Sequence, residues 1–282
     1  MRRETRAALI VAAPFLAFVF VFLLLPTAVA MWEAITPGGR FGFDSLLRAM
    51  SGSYRTSFIN SIQLSGVSAI LGGILGTVLA LTLRYTQRPA WLRSTADSWS
   101  AVASQLGGVP LAFAFIATIG TQGLLTKLLK QVGFDPVEAG ISVSGFWGLV
   151  IVYLYFQIPL MFLVMMPAVH GLRDTWREAA AVMGASSFTY WRRVGIPLLI
   201  PATLGGVLLL FVNAFSAYAT AYVLNSGGQL VPLQIRFLLQ GNVISGEEDL
   251  GYAIVAWVIL LLLVALIGMT LLQRRTARWA QS

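Results

Sequence analysis

The residues best suited to act on another molecule lie in a polar and basic segment, 175–197, between two long apolar runs. Thr175 and Glu178 have the spacing of a capping box, in which a hydroxyl and a carboxylate accept hydrogen bonds from the free amides at a helix start. Gly184 predicts the end of this helix, because a residue without a Cβ adopts the left-handed conformation at little cost. The chemistry that this pattern indicates is docking, since a short helix outside the hydrocarbon is accessible to a partner protein.

A second short helix is expected after Gly184. Ser186 or Ser187 can cap it, since a serine hydroxyl accepts a hydrogen bond from an amide in the first turn. Pro197 then opens the next apolar run, because proline suits the first turn of a helix. The segment 175–197 therefore predicts a helix, a tight turn and a second helix, all outside the hydrocarbon.

Polar and aromatic side chains within the apolar runs form a second group of candidates. They can offer hydrogen bonds and aromatic faces to a polar or cationic solute, and they are Gln105, Tyr153, Tyr155, Gln157, Asn213 and Tyr218. The alternative for each is a hydrogen bond between packed helices, worth about 0.6 kcal/mol on average. As a set, they are our candidates for a solute path.

The sequence predicts neither a catalytic residue nor a metal site in this chain. It has no cysteine and a single histidine, His170, so thiol nucleophiles and histidine-rich metal sites are excluded. The patterns H-E-x-x-H and G-x-S-x-G do not occur, which makes an intramembrane enzyme the least favoured class. The pattern G-x-x-x-x-G-K-[ST] does not occur either, so this chain cannot bind a triphosphate through a P-loop.

The composition is that of a membrane protein. Hydrophobic residues make up 57% of the 282 residues and charged residues 11%, and the mean hydropathy is +0.80. A transmembrane helix needs about 20 apolar residues, and six runs are long enough. The expected spans lie within 7–32, 56–83, 98–126, 141–168, 198–222 and 251–272. We therefore expect an all-α integral membrane protein with six transmembrane helices.

The basic residues predict the orientation of these helices. Six of the 19 Lys and Arg residues fall in loops on one side of the expected spans, and the others fall in the termini and in the loops on the other side. Lys and Arg are enriched in cytoplasmic loops, so both termini and the segment 175–197 are expected in the cytoplasm. The net charge of +8 is spread over short loops in this way, and nucleic-acid binding is therefore not expected.

Two of the apolar runs leave alternatives open. The first, which contains Ala28-Val29-Ala30, is either an uncleaved span or a cleaved signal peptide; its length favours the span, since the apolar core of a signal is about 7–15 residues long. The third run has Ser104, Gln105, Gly107, Gly108 and Pro110 in its first half. These residues indicate either a broken helix that lines a translocation path or a span boundary that lies a few residues away.

The segment 175–197 resembles the cytoplasmic loop of the membrane subunits of binding-protein-dependent ABC importers. In that family the pattern is E-A-A-x-x-x-G, nine residues, then I-x-L-P. The matching residues are Glu178, Ala179, Ala180, Gly184 and Pro197, while Val194 and Ile196 replace the isoleucine and the leucine. Both replacements keep an aliphatic side chain, so the pattern is retained.

The resemblance implies the type I ABC importer (MetI-like) permease fold, with a cytoplasmic coupling helix between the fourth and fifth spans. It implies three parts: an N-terminal tail, first span and outer loop, 1–57; a core of five spans with a coupling loop, 58–273 and 169–197; and a cytoplasmic tail, 274–282. The implied location is the bacterial inner (cytoplasmic) membrane.

The resemblance also implies partners. They are two copies of an ABC ATPase subunit, a second permease subunit that is expected to be a different chain, an extracytoplasmic solute-binding protein and membrane lipid. ATP and Mg²⁺ would be bound by the ATPase subunits, and no cofactor is expected in this chain. In such permeases the coupling helix docks in a groove of the ATPase subunit.

The expected function is therefore that of a permease subunit that forms the path for a small polar solute. The whole pattern, including Leu233–Phe237 and Gly241–Ile244, most resembles the polyamine (spermidine/putrescine) branch with its phosphonate, iron and thiamine relatives, so a polyamine is the expected solute. The alternative is a sugar, phosphonate, iron or thiamine permease of the same family. An ATP-independent secondary carrier or channel is the alternative from another class; no Asp, Glu, Lys or Arg falls within an expected span, which disfavours a proton-coupled carrier.

Overall fold

A computed structural model describes residues 12–85, 90–140, 142–240 and 247–279, and the regular secondary structure within these ranges is helical. Apart from a short 3₁₀ turn, the described helices are α1 (Ala12–Ile35), α2 (Asp44–Arg48), α3 (Gly52–Tyr85), α4 (Ala90–Ala103), α5 (Val109–Ile119), α6 (Leu124–Gln131), α7 (Phe146–His170), α8 (Asp174–Val182), α9 (Ser187–Phe215), α10 (Tyr218–Leu224), α11 (Val231–Leu239) and α12 (Glu248–Trp279).

Six helical stretches of the described chain are long and apolar enough to cross a membrane. They are α1, α3, the pair α5–α6 as Val109–Gln131, α7, α9 and the Glu248–Leu271 part of α12. The prediction of an all-α protein with six spans is confirmed. Residues Ala28-Val29-Ala30 lie inside the continuous helix α1, and the uncleaved first span stays a prediction.

The described residues fall into two compact units, one from Met1–Ser57 and Gln234–Leu261 and the other from Phe58–Leu233 and Leu262–Ser282. In the first unit the apolar window of α1 has none of its residues buried, as expected for a helix that faces lipid. The indole of Trp257 donates a hydrogen bond to the carbonyl of Leu46 over 3.0 Å, and Arg48 pairs with Glu247 over 2.8 Å. These contacts hold the short helix α2 against α12.

In the second unit α7 is the central helix, and it is the most buried of the six candidate spans. Its side chains Tyr153, Met161 and Phe162 are almost fully buried. Two glycines of α3 allow close packing here: a Cβ on Gly72 would lie 2.9 Å from the Cβ of Gln157, and one on Gly76 would lie 2.5 Å from the Cβ of Met161. Gly72 and Gly76 thus form a small-residue face of α3 that packs against α7.

Two of the expected spans differ from the sequence prediction at their ends. The predicted break in the third run is present, because α4 ends at Ala103 and α5 begins at Val109. The stretch long enough to cross a membrane begins only after this break, so the boundary lies later than predicted. The fifth span was predicted to continue to Tyr222, but α9 ends at Phe215 and α10 is a separate helix. Hydrogen bonds between residues that are distant in sequence stabilise both breaks. The local sequence does not show these hydrogen bonds.

We expect Gly76→Leu to lower the stability of the isolated chain by about 1–3 kcal/mol, because a larger side chain cannot fit between α3 and Met161 without moving one of them. Gly66→Leu is the matched control on the same helix, since a Cβ at Gly66 meets nothing within 4 Å. Thermal unfolding in detergent measures both changes. Equal melting temperatures for the two variants would contradict the packing described here.

Candidate functional site

Helix α8, Asp174–Val182, contains the Glu-Ala-Ala residues of the predicted coupling segment. The predicted capping box is wrong: Arg173 is the N-cap residue, no side chain caps the helix, and Thr175 already lies in the first turn. Asp174 places a negative charge at the positive end of the helix dipole and pairs with Arg84 over 3.2 Å. The helix therefore starts two residues earlier than a capping box at Thr175 requires. Glu178 is exposed.

Gly184 ends this helix in the conformation predicted for it, with φ at +77°. The amide of Gly184 donates to the carbonyl of Ala181 and the amide of Ala185 donates to that of Ala180, both over 2.9 Å. This is the hydrogen-bond pattern of a Schellman motif, which satisfies carbonyls at a helix end. Ala180 is the buried residue of α8, so the helix packs against the rest of the chain at this position.

Ser186 caps the next helix, as predicted, because its Oγ accepts a hydrogen bond from the amide of Thr189 over 3.2 Å. The prediction of a separate second helix is wrong. The chain continues through a π-helical turn, Trp191–Gly195, into the α-helical part of α9, where Pro197 lies in the first turn. A Cβ on Gly195 would lie 2.4 Å from the ring of Trp191, so a glycine is needed for this ring to fold back on the turn.

The turn between α8 and α9 exposes large apolar side chains. Val182 is 89% exposed, Met183 80% and Phe188 73%. Three such groups in one short connection form an apolar surface, named here the loop tip, next to the exposed Glu178 and Gly184. Clustered apolar exposure of this kind marks a surface that another protein or a membrane covers.

A cavity of about 450 Å³ lies where two helix breaks meet. One break is the 104–108 connection between α4 and α5, and the other is the Ser216-Ala217 connection between α9 and α10. The amide of Gly108 donates to the Oγ1 of Thr220 over 2.8 Å, and this hydroxyl in turn donates to the carbonyl of Gly108 over 3.3 Å. The hydroxyl of Tyr153 donates to the carbonyl of Ala217 over 3.0 Å. Side chains thus pair with the Gly108 amide and the Ala217 carbonyl at the two breaks, and the Gly108 carbonyl also accepts a hydrogen bond from the Ala112 amide.

Three of the six predicted path residues, Gln105, Asn213 and Tyr218, line this cavity together. The other three lie elsewhere. Tyr153 and Gln157 are buried in the helix packing, where Gln157 donates to Ser68 over 3.1 Å. Tyr155 packs its ring edge-on against Trp99 and Phe115. The role of all six in transport stays a prediction.

Ser104, Gly107 and Gly108, which the sequence assigned to the predicted break in the third run, also line the cavity. Sequence reasoning did not select the other lining residues, which are Phe156, Ser216, Ala217, Ala219 and Thr220. The available signal was the presence of polar residues in two separate apolar runs, with Ser and Gly at 104–108 and Ser216 and Thr220 in the other run, since irregular backbone at membrane depth is tolerated where it lines a cavity. A second cavity of about 1240 Å³ lies beside α8 and is lined by side chains of α3, α7, α8 and the π-helical turn.

No group of three or more His, Cys, Asp or Glu side chains suitable for a metal ion occurs within the described ranges.

Residues 72–278 match the family described as the binding-protein-dependent transport system inner membrane component. This range covers more than half of the chain. The chain belongs to this family. It is the permease subunit of an ABC importer, a membrane-spanning transport component.

Two curated relatives illustrate what the chain is similar to. The trehalose/maltose transport system permease protein of Thermococcus litoralis is 25% identical over 80% of this chain and 79% of its own length. The ferric transport system permease protein of Actinobacillus pleuropneumoniae is 22% identical over 87% of this chain, which spans 36% of that longer protein.

Among solved structures, a bacterial ABC transporter involved in the import of the acidic polysaccharide alginate has a chain with a TM-score of 0.72. That chain is 18% identical, and the match covers 98% of both chains. A structure of the bacterial alginate ABC transporter in complex with an alginate pentasaccharide-bound periplasmic protein matches equally well, with a TM-score of 0.72. The likeness confirms the expected permease fold.

These comparisons do not support the expected polyamine branch. The relatives named above transport sugars and iron, which were the alternatives within the same family. The prediction of a polyamine permease rested on the whole pattern of the chain, including two outer segments. One of these segments, Gly241–Ile244, lies outside the described residues. Such a pattern reports the fold that these branches share rather than the solute.

We expect Thr220→Val to lower stability by about 1–3 kcal/mol, because the change leaves the Gly108 amide without its side-chain partner at an almost fully buried position. Amide hydrogen exchange measured by mass spectrometry should increase in peptides that contain residues 104–112. Thr118→Val is the control, since the Thr118 hydroxyl bonds only to the carbonyl of Ala114, one turn away on an exposed helix face. Unchanged exchange at residues 104–112 in Thr220→Val would show that this hydroxyl does not hold the break.

Proposed function

We propose that this chain forms part of the path by which a sugar-like solute crosses the membrane, driven by ATP hydrolysis in a separate subunit that docks on α8. The observation that carries this proposal is the cavity between the two helix breaks. In transport proteins, interrupted helices line the solute site, since irregular backbone at membrane depth is tolerated where it is buried in protein or lines a cavity. Here the two breaks face the same cavity.

The side chains of the cavity suit a neutral, hydroxylated solute. Gln105 and Asn213 offer amides, Ser104 and Ser216 offer hydroxyls, and the ring of Tyr218 offers an aromatic face. Sugars bind through hydrogen bonds to such groups, while apolar and aromatic lining fixes their orientation. A polyamine would instead require carboxylates or several carbonyl groups directed at its ammonium groups. The lining therefore supports a sugar over a polyamine.

The loop tip supports docking of an ATPase subunit. Val182, Met183 and Phe188 would be buried in a groove of the partner, and burial of apolar surface contributes roughly 25 cal/mol per Å². The motif residues Glu178, Ala179 and Gly184 lie on or beside the same exposed surface. We infer that this surface faces the cytoplasm and that both termini lie on the same side, as the distribution of basic residues predicts.

The complete transporter would contain partners that this chain lacks. We infer two ATPase subunits, which bind ATP and Mg²⁺, a second permease subunit and an extracytoplasmic solute-binding protein. The alginate transporter in complex with its periplasmic protein supports the last of these by similarity of fold. Closure of the ATPase pair on ATP would move α8, and the spans connected to it would then expose the cavity to the outer side.

Titration calorimetry on the solute-binding protein that is co-expressed with this chain is the most direct test of the solute. We expect binding of maltose or trehalose and no binding of spermidine. Uptake of the bound sugar into proteoliposomes that hold the full complex should require ATP on the side of α8. Fe³⁺ is the second candidate solute, because one relative is a ferric transport permease. Binding of Fe³⁺ without binding of sugar would identify iron as the solute. Uptake at the same rate without ATP would instead support the secondary carrier.

We expect Asn213→Leu to reduce sugar uptake by about tenfold or more, since a buried solute hydroxyl would lose its partner. Asn213→Gln keeps the amide and should retain part of the transport. Uptake is measured with radiolabelled sugar in the same proteoliposomes, and hydrolysis of ATP without solute should be unchanged in both variants. Wild-type uptake by Asn213→Leu would remove this residue from the path.

We expect Gly184→Val to uncouple ATP hydrolysis from uptake while the protein remains in the membrane. A β-branched residue at φ +77° is strained, so the turn that presents the loop tip would change. The measurement is the amount of solute taken up for each ATP hydrolysed.

Gly133→Val is the matched control for this change, because Gly133 has φ at +86° and its Cβ position is open in the same way. It lies in the connection after α6, which is predicted on the opposite side of the membrane. It should keep the wild-type amount of solute for each ATP. Full uptake by Gly184→Val would count against α8 as the coupling helix.

A further inference from the structure

Arg84 is an arginine at the end of α3 whose side chain is only 11% exposed. Its guanidinium donates hydrogen bonds to the carbonyls of Val169 and Leu172 at the end of α7. It also forms an ion pair with Asp174, the first residue of α8, over 3.2 Å. One side chain at the end of α3 therefore contacts the end of α7 and the start of α8.

The contacts with the two carbonyls are the stronger part of this arrangement. The last carbonyls of a helix have no partner within the helix, and a cation there also interacts with the negative end of the helix dipole. The planar guanidinium has several donors in fixed directions, so it can bind two carbonyls and a carboxylate together. The ion pair itself is weak, because the Asp174 side chain is 73% exposed. The role of this ion pair is to fix position, because it holds the first turn of α8 next to the end of α3.

The next residue of α3, Tyr85, contacts α8 one turn further along the same face. The guanidinium of Arg177 lies 5.8 Å from the centre of the Tyr85 ring. The same ring meets Trp191 edge-on, with their centres 6.1 Å apart. Trp191 is the first residue of the π-helical turn that leads into α9. Tyr85 is thus placed between α8 and the start of the fifth span.

We propose that Arg84 and Tyr85 form a connection, named here the α3 clasp, that transmits the movement of α8 to the second span. The covalent chain already joins α8 to α7 on one side and to α9 on the other. The α3 clasp adds a third route, to a helix that is distant in sequence. This inference rests on the proposed function of α8 as the docking helix, and it assigns positioning roles to two residues outside the Glu-Ala-Ala segment.

The packing of α3 explains what this route accomplishes. Gly72 and Gly76 hold α3 close to α7, and Ser68 accepts a hydrogen bond from the buried Gln157 of α7. A force applied at the Arg84 end of α3 is therefore carried along a helix pair without loose contacts. Without the α3 clasp, a movement of α8 would reach the spans only through its covalent connections to α7 and α9. The displacement of α3 would then be smaller.

The first test measures transport by the complete complex in proteoliposomes, with radiolabelled maltose as the probe. Arg84→Ala should assemble with its partners and hydrolyse ATP, but the amount of solute for each ATP should fall by roughly three- to thirtyfold, the range seen for changes in coupling networks. Arg84→Lys keeps the charge and one or two donors, so it should recover part of the loss. Arg55→Ala, an exposed arginine at the other end of the same helix, is the control and should keep the wild-type ratio.

A second test follows the helices directly and needs no solute. The chain has no cysteine, so spin labels can be attached at introduced cysteines in place of Val78 on α3, which is 53% exposed, and of Thr175 on α8. Thr175 is exposed and lies outside the loop tip that docks on the partner. In the wild-type background the distance between the labels should be the same without nucleotide and with trapped nucleotide. In Arg84→Ala the distance should change between the two states.

Tyr85 keeps the proposal testable if Arg84→Ala does not assemble. Tyr85→Leu removes the ring that Arg177 and Trp191 contact and should lower the ratio of solute to ATP, while Tyr85→Phe keeps the ring and should retain it. A wild-type ratio together with an unchanged label distance in Arg84→Ala, or a wild-type ratio in Tyr85→Leu when Arg84→Ala fails to assemble, would overturn the α3 clasp. Failure of the proposed function is distinguishable, because it would show as a wild-type complex without ATP-dependent uptake.

Discussion

Backbone polar groups that leave a helix must find partners within the chain, because hydrocarbon offers none. Two breaks of this kind adjoin candidate spans, one between α4 and α5 before the third span and one between α9 and α10 after the fifth. The Thr220 hydroxyl satisfies both the amide and the carbonyl of Gly108, and the Tyr153 hydroxyl satisfies the carbonyl of Ala217. The interrupted backbone is held in place by these bonds, and the space left between the breaks is the candidate path for the solute.

The same unit depends on close packing around α7. Glycines on the neighbouring helices remove the Cβ atoms that would otherwise hold them apart: Gly76 of α3 and Gly206 of α9 both lie against Met161. Helix association in lipid gains little from the hydrophobic effect, so such contacts supply much of the stability. A central helix with tight contacts on two sides can carry a displacement from the loop at one end to the cavity.

The loop that joins α7 to α9 combines a firm base with an exposed tip. Its base is fixed by the Arg84 contacts and by the Schellman motif at Gly184, while Val182, Met183 and Phe188 extend outward. A surface of this kind can transfer force, because the part that binds a partner is separate from the part that contacts the spans. The π-helical turn at Trp191–Gly195 makes the second half of the loop continuous with α9, so the fifth span begins within the loop itself.

The sequence by itself determined the number of spans, the docking segment and its glycine stop, because apolar length and the left-handed preference of glycine are local properties. It also indicated the break near Gly108. Tertiary structure decided which polar residues meet: Gln105, Asn213 and Tyr218 share a cavity, whereas Tyr153 and Gln157 serve the packing. It also decided where α8 begins, since the partner of Asp174 is Arg84, ninety positions away in the chain. Contacts between distant residues depend on how helices pack, and a pattern read along one helix does not contain that information.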